Sequence, residues 1–195
     1  MIEGKKDLHG SAPDTCETAL LLIDVINDFA FAEADLLLKF AVPAARRLRA
    51  LKRRAHQAGV PVIYINDNFG RWQSNFAALV NHCSKSRGRE VSRLLAPQRH
   101  DYFVLKPKHS AFYSTTLDVL LRYLGPRRLI ITGIAANICV LFTANDAYMR
   151  DYELLIPEDC VVSNTEVENN YALQQMRTIL KADIRPSTEI VLRKK

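Results

Sequence analysis

Leu129-Ile130-Ile131-Thr132-Gly133-Ile134-Ala135-Ala136-Asn137-Ile138-Cys139-Val140-Leu141-Phe142-Thr143-Ala144-Asn145 is a run of 17 residues without a charge. A bilayer span needs about 20 predominantly apolar residues, and Thr132, Gly133 and Asn137 break the middle of this run. It therefore reads as two buried elements instead of one span. Residues 129–132 predict a strand, Gly133 a turn, and residues from about 139 to 150 a helix. That helix is apolar almost all round, which predicts burial. A buried strand turning through glycine into a buried helix is the repeating unit of a doubly wound α/β sheet.

Working outward, the same unit recurs on both sides. Ala19, Leu20, Leu21, Leu22 and Ile23 make an apolar strand that ends at Asp24. Pro43 is expected to open a helix at its first turn, Gly59 to close it, and residues 60–65 to form the next strand. Residues 66–100 carry only weak apolar patterns, near 76–80 and 91–95, and residues 102–105 read as a third strand. Thr115 with Asp118 resembles a capping box ahead of Leu117, Leu120, Leu121 and Leu124, and Gly125-Pro126 stops that helix. Beyond the uncharged run come a strand at 153–156, a helix capped by Thr165 and Glu168, and a last strand near 189–192. Strand and helix in alternation imply a single domain over residues 19–195, with a parallel sheet covered by helices on both faces. Residues 1–18 are polar, carry both charge signs and lack an apolar stretch, so they read as a loose tail and not a targeting segment.

Composition narrows the function. At 48% hydrophobic and 25% charged, the 195-residue chain is an ordinary globule, neither disordered nor fibrous. Its four cysteines form no close pair, which excludes a disulfide scaffold or zinc ribbon and suits the reducing cytoplasm. No G-x-G-x-x-G, Walker loop or G-x-S-x-G occurs, which disfavours dinucleotide, P-loop and serine-hydrolase chemistry. The five histidines show none of the close spacings of a metal site, so neither metal nor other cofactor is expected. The net charge of +6 centres on Arg46, Arg47, Arg49, Lys52, Arg53 and Arg54. These spread around a helix without aromatic neighbours, which reads as a solvated helix back; no nucleic-acid or membrane partner is expected.

Ligands of open parallel sheets bind beyond the carboxyl ends of the strands. Three chemically useful residues stand at such ends: Asp24, Lys106 and Cys139. A carboxylate that ends an apolar strand is desolvated, which raises its pKa and suits it as a base. Cys139, near the start of a helix, is expected to feel the positive end of the dipole and to have a lowered pKa. Lys106 would steady a thiolate, with Lys108 a rival by spacing. Each residue also has a plain structural reading: a cap, a solvated lysine, a buried thiol.

Together these pieces resemble the isochorismatase-like cysteine hydrolase superfamily, which includes nicotinamidases and N-carbamoylsarcosine, ureidoacrylate and maleamate amidohydrolases. The resemblance rests on Asp24-Val25-Ile26-Asn27-Asp28-Phe29, Ile65-Asn66-Asp67, Lys106-Pro107-Lys108-His109-Ser110-Ala111-Phe112-Tyr113, and Thr132 to Val140, with Thr143, Asp146 and Ala147. It implies a three-layer α/β/α fold with a six-stranded parallel sheet, order 3-2-1-4-5-6. It also implies a Cys139–Asp24–Lys106 hydrolase that cleaves a C–N bond of a small amide, imide or ureido compound through a thioester. A cis peptide between Ile134 and Ala135 would aim the N–H groups of Ala135 and Cys139 at an oxyanion. Asn27, Phe29, Trp72 and Tyr113 are candidates for the substrate pocket, and a homo-oligomer, dimer or tetramer, is the family habit. Two departures stand out. Nicotinamidases hold a metal with an Asp and paired His near the second strand, whereas no histidine follows Asn66 here until His82. True isochorismatases lack the cysteine that this chain has at Cys139. The alternative reading is a catalytically idle member serving as a binding or scaffold subunit.

Overall fold

The computed structural model describes residues 16–70, 73 and 75–192. Trp72 and most of the expected tail lie outside the described residues. Six strands form one parallel sheet: β1 (Thr18–Ile23), β2 (Val62–Asp67), β3 (Tyr102–Lys106), β4 (Arg128–Ile134), β5 (Glu153–Leu155) and β6 (Val161–Val162). The order is β3-β2-β1-β4, and β5 then β6 follow one another along the outer edge of β4. Chain direction reverses its march across the sheet between β1 and β4, the switch point expected to host a ligand.

The apolar runs are unbroken because both faces of each strand are buried. With a period of two, Ala19, Leu21, Ile23, Ile63, Ile65, Leu129 and Ile131 face one core, under α4 (Leu117–Leu124), α5 (Leu141–Tyr148) and α6 (Glu166–Thr178). Leu20, Leu22, Val62, Tyr64 and Ile130 face the other, under α1 (Ala34–Ala58), α2 (Phe76–Cys83) and α3 (Arg89–Leu94). Burying one such Leu or Ile is worth about 1.5–3 kcal/mol, so the two cores hold the sheet.

Four expectations differ from the structure. First, α1 begins at Ala34, well before Pro43, which sits inside it. Buried Ala34, Leu37 and Ala41 extend the apolar stripe upstream, and the carbonyl deprived of a partner by the proline belongs to the exposed Lys39. Second, Cys16 is buried and its N–H donates to the Leu124 carbonyl at 2.7 Å, so the chain is already held before β1. Third, residues 189–192 form no strand. Ser187–Glu189 is a short 3-10 turn, and the position outside Leu155 is taken by a single parallel bridge from Asp183. The edge needs no long strand there because Arg54 of α1 pins the carbonyls of Ser187 (2.9 Å) and Ile190. Fourth, Thr116, not Thr115, is the residue before α4, although the Thr115 hydroxyl still accepts from the Leu117 N–H at 3.1 Å. At the start of α6 the Thr165 hydroxyl accepts from the Glu168 N–H at 3.2 Å and donates to Glu168 Oε2 at 3.0 Å, as the expected cap requires of its first residue. Among the described residues, no helix is long and apolar enough to cross a membrane.

Candidate active site

The carboxyl ends of β1, β2 and β3 are brought into one row by their register: Ile23 lies beside Ile65, and Asp67 beside Lys106. Asp24 leaves β1 in a left-handed turn (φ 51°), its N–H donating to the Ile65 carbonyl at 2.8 Å. Its Oδ1 accepts from the Asp67 N–H at 2.8 Å, and its Oδ2 meets Lys106 Nζ at 2.8 Å. Lys106 comes from the edge strand β3. Its long stem crosses the end of β2 to reach Asp24, which is why the ammonium is 0% exposed. Asp67 Oδ2 stands 3.9 Å from the same nitrogen.

Cys139 arrives from the other side of the switch point. Gly133, paired with Ile23 at the end of β4, has φ 114°, and a Cβ there would lie 2.0 Å from the Ile23 carbonyl oxygen. Only glycine lets β4 close against β1 at this point. The Ile134–Ala135 peptide is cis. The helix then begins earlier than the sequence predicts, with a widened π turn over Ala136–Val140 that runs into α5. The Ala135 carbonyl accepts from the N–H groups of Ile138 and Val140, both at 3.1 Å, so the turn steps over the Cys139 N–H. Thr143 Oγ1 donates to the Cys139 carbonyl at 2.7 Å and accepts from the Ala111 N–H at 3.0 Å, tying the turn to the loop after β3. The Asn137 N–H donates to Ser163 Oγ at 3.3 Å and anchors the turn's other flank beside β6.

Lys106 Nζ donates to Cys139 Sγ at 3.5 Å, and the Asp24 carboxylate is near enough to act on the thiol. Burial pushes the Asp24 pKa up from the usual carboxylate range, against the pull of Lys106. For Lys106, burial opposes the charge, yet Asp24, Cys139 and Asp67 outweigh it and the pKa rises. Burial, and then the Asp24 carboxylate, push the Cys139 thiol up to about 12, while Lys106 pulls it down. This corrects the expectation of a lowered thiol pKa. A half-buried sulfur beside a carboxylate loses more from desolvation and like charge than a helix start returns. The resting nucleophile is a thiol with the Asp24 carboxylate beside it.

Of the pocket candidates, Asn27 turns its side chain back to accept from the Phe29 N–H at 2.8 Å, and Phe29 is fully buried against the second core. Phe29 is therefore core packing, not pocket lining. Tyr113 is exposed. Two residues to which the sequence reading gave no role do reach the site. Asp67, part of the stretch that carries the resemblance, was given no role because its strand was ended at residue 65, although its register with Lys106 follows from one more pair of residues. His109, three residues past Lys106, has Nδ1 3.9 Å from Cys139 Sγ. Among the described residues no group of three or more His, Cys, Asp or Glu side chains converges to hold a metal ion.

Fold and site define a doubly wound α/β protein with a cysteine, an aspartate and a lysine meeting at the switch point. A family model described as "Isochorismatase domain" matches residues 18–185, and the chain belongs to the isochorismatase family. It is 45% identical over 175 residues to the "Uncharacterized isochorismatase family protein YaaI" of Bacillus subtilis strain 168, covering 90% of this chain and 97% of that one. A ureidoacrylate amidohydrolase, RutB of Methylorubrum extorquens strain AM1, is 30% identical over 169 residues, 71% of this chain and 67% of the relative. Among solved structures, N-carbamoylsarcosine amidase of Thermoplasma acidophilum superposes with a TM-score of 0.69 at 28% identity, over 90% of this chain and 99% of that one.

Proposed function

We propose that the protein is a cysteine hydrolase that cleaves a non-peptide C–N bond in a small amide, imide or ureido compound. The contact of Lys106 with both Asp24 and Cys139 carries this reading, and similarity to ureidoacrylate and N-carbamoylsarcosine amidohydrolases supports it. In the first half-reaction Asp24 takes the thiol proton, Sγ bonds to the substrate carbonyl carbon, and the N–H groups of Ala135 and Cys139 bind the oxyanion. One such donor is typically worth about 3–4 kcal/mol in the transition state. The C–N bond breaks, the nitrogen leaves with the proton that Asp24 held, and a thioester remains on Cys139. Asp24 then takes a proton from water, whose oxygen attacks the thioester, and returns it to the departing sulfur. Lys106 keeps its charge throughout and offsets the thiolate and the tetrahedral intermediate.

The test is a screen of small amides, ureides and imides for ammonia or amine release, with Cys139→Ala as the blank. Release by the wild type alone supports the reading; equal rates for both proteins contradict it. We also propose a homo-oligomer without nucleic-acid affinity. Three basic residues of α1 are already engaged: Arg46 by Glu90 at 2.9 Å, Lys52 by Asp101 at 3.0 Å, and Arg54 by main-chain carbonyls. Light scattering checks the first half and a DNA-shift assay at 150 mM salt checks the second.

A further inference from the structure

The buried side of the Cys139 sulfur is taken by Lys106, at 3.5 Å, and by Asp24. A substrate carbonyl must therefore reach Sγ from the open side. On that side stands His109, exposed, with Nδ1 3.9 Å from the sulfur and its ring tilted against Phe142 at 5.5 Å between centroids. The Phe142 ring is apolar and leaves the imidazole nitrogens as the polar groups facing an incoming molecule. Asp24, joined to the sulfur's neighbour Lys106 at 2.8 Å, is placed to serve as the base for the thiol, so His109 is not needed for that role. Nor does Lys106 face the open side: its side chain is 0% exposed, between Asp24 at 2.8 Å and Asp67 at 3.9 Å. Within the loop itself, Lys108 is exposed and Ser110 donates to Asp146 of α5, which holds the loop against the helix that carries the thiol.

We propose that His109 is a specificity-determining residue of this site, whose imidazole binds an acceptor oxygen, best a carboxylate, on the acyl part of the substrate. The proposal rests on the hydrolase reading above. It follows from position: a group bonded to Sγ from the open side lies within hydrogen-bond reach of a nitrogen 3.9 Å from that sulfur. A charged imidazole holds a carboxylate more strongly than a neutral one does, so a carboxylate there is favoured most when the ring is protonated. The charged or titratable groups on the elements around the ring are Cys139 on the π turn, Lys106 and Asp24 at the strand ends, and Lys108 and Asp146 on the loop and α5.

The test needs no substrate. Folded protein is treated with iodoacetate or with iodoacetamide at pH 6.5 and at pH 9, and carboxymethylated or carboxamidomethylated Cys139 is quantified by peptide mapping. Taking the ratio of the two rates cancels the thiolate fraction. In the wild type the iodoacetate-to-iodoacetamide ratio should be higher at pH 6.5 than at pH 9, by at most the roughly fourfold that one full unit charge about 5 Å away in water-like surroundings gives. His109→Gln, at an exposed position that does not threaten folding, should flatten the ratio, whereas Lys108→Gln should leave it as in the wild type. A ratio that keeps its pH dependence in His109→Gln, or loses it in Lys108→Gln, overturns the proposal. Failure of Cys139 to label with either reagent would instead contradict the hydrolase reading itself.

Discussion

Lys52 meets Asp101 at 3.0 Å and Lys106 meets Asp24 at 2.8 Å, and both side chains are buried, the first between helix α1 and the sheet, the second at the end of the sheet. Their surroundings differ. Lys52 gives its three protons to Tyr64 Oη at 2.7 Å, the Ala96 carbonyl at 2.7 Å and Asp101. Asp101 in turn is held by His56 Nε2 at 2.6 Å and the Gln98 N–H at 2.7 Å, and Tyr64 donates to the Leu95 carbonyl at 2.6 Å. This network is closed. Lys106 has one strong partner, Asp24, and two long ones, the Cys139 sulfur at 3.5 Å and Asp67 at 3.9 Å. Burial lowers the Lys52 pKa despite Asp101, whereas the carboxylates and thiol around Lys106 raise its own above the usual value. A buried ion pair whose every donor is satisfied fixes helix α1 to the strands beneath it. One left partly satisfied beside a thiol has charge available for chemistry.

Breaking each pair should separate these roles. Cys139→Ala, which removes the acceptor of the open network, is expected to lower turnover by about 10⁴-fold or more, to the uncatalysed background, without a change in melting temperature. Asp24→Asn keeps size and hydrogen bonding but cannot take a proton, so turnover should fall by about 10²–10⁴-fold. Asp101→Asn should do the reverse. It strands the buried Lys52 charge at a cost of about 3–5 kcal/mol, lowering the melting temperature by about 10 °C, while turnover per folded molecule stays close to wild type. Calorimetry alongside ammonia release reads both quantities. Asp24→Asn should lose less stability than Asp101→Asn, because Asp67 remains near Lys106 as a counter-charge. Lys108→Met, at an exposed position next to the site loop, is the smallest effect, with activity within about twofold of wild type on the scale of ordinary surface changes.

The sheet was legible because its strands are buried on both faces and read as unbroken apolar runs. The five residues from Ala19 to Ile23 and the run from Leu129 are unambiguous. Asp24, Lys106 and Cys139 were legible for the same reason: each is where such a run stops or turns. What escaped depends on contacts distant in sequence. The start of α1 was hidden by Pro43, whose preference for a first turn is outweighed by Ala34, Leu37 and Ala41 packing on the second core. The π turn that moves the helix start to Ala136 has no propensity signal; it shows only in the pairing of the Ala135 carbonyl with Ile138 and Val140. The thiol pKa was misjudged because its sign is set by Asp24 and burial, both tertiary, against a local helix effect. Phe29 looked like pocket lining because an aromatic beside a catalytic motif has no sequence mark that tells core from cleft.

The central claim is that Asp24 and Lys106 act on Cys139 with opposite signs. The rate of iodoacetamide labelling of Cys139, followed by peptide mapping from pH 6 to pH 10, tests it most directly. With a thiol pushed up to about 12, the wild-type rate should climb through the whole range without a plateau. Lys106→Met removes the charge that favours the thiolate, so its curve should lie to higher pH. Asp24→Asn removes the carboxylate that opposes it, so its curve should lie to lower pH even as turnover collapses. Cys16, Cys83 and Cys160, all buried, should label far more slowly throughout. An Asp24→Asn curve displaced to higher pH than wild type, or Cys139 labelled no faster than the buried cysteines, would contradict the account.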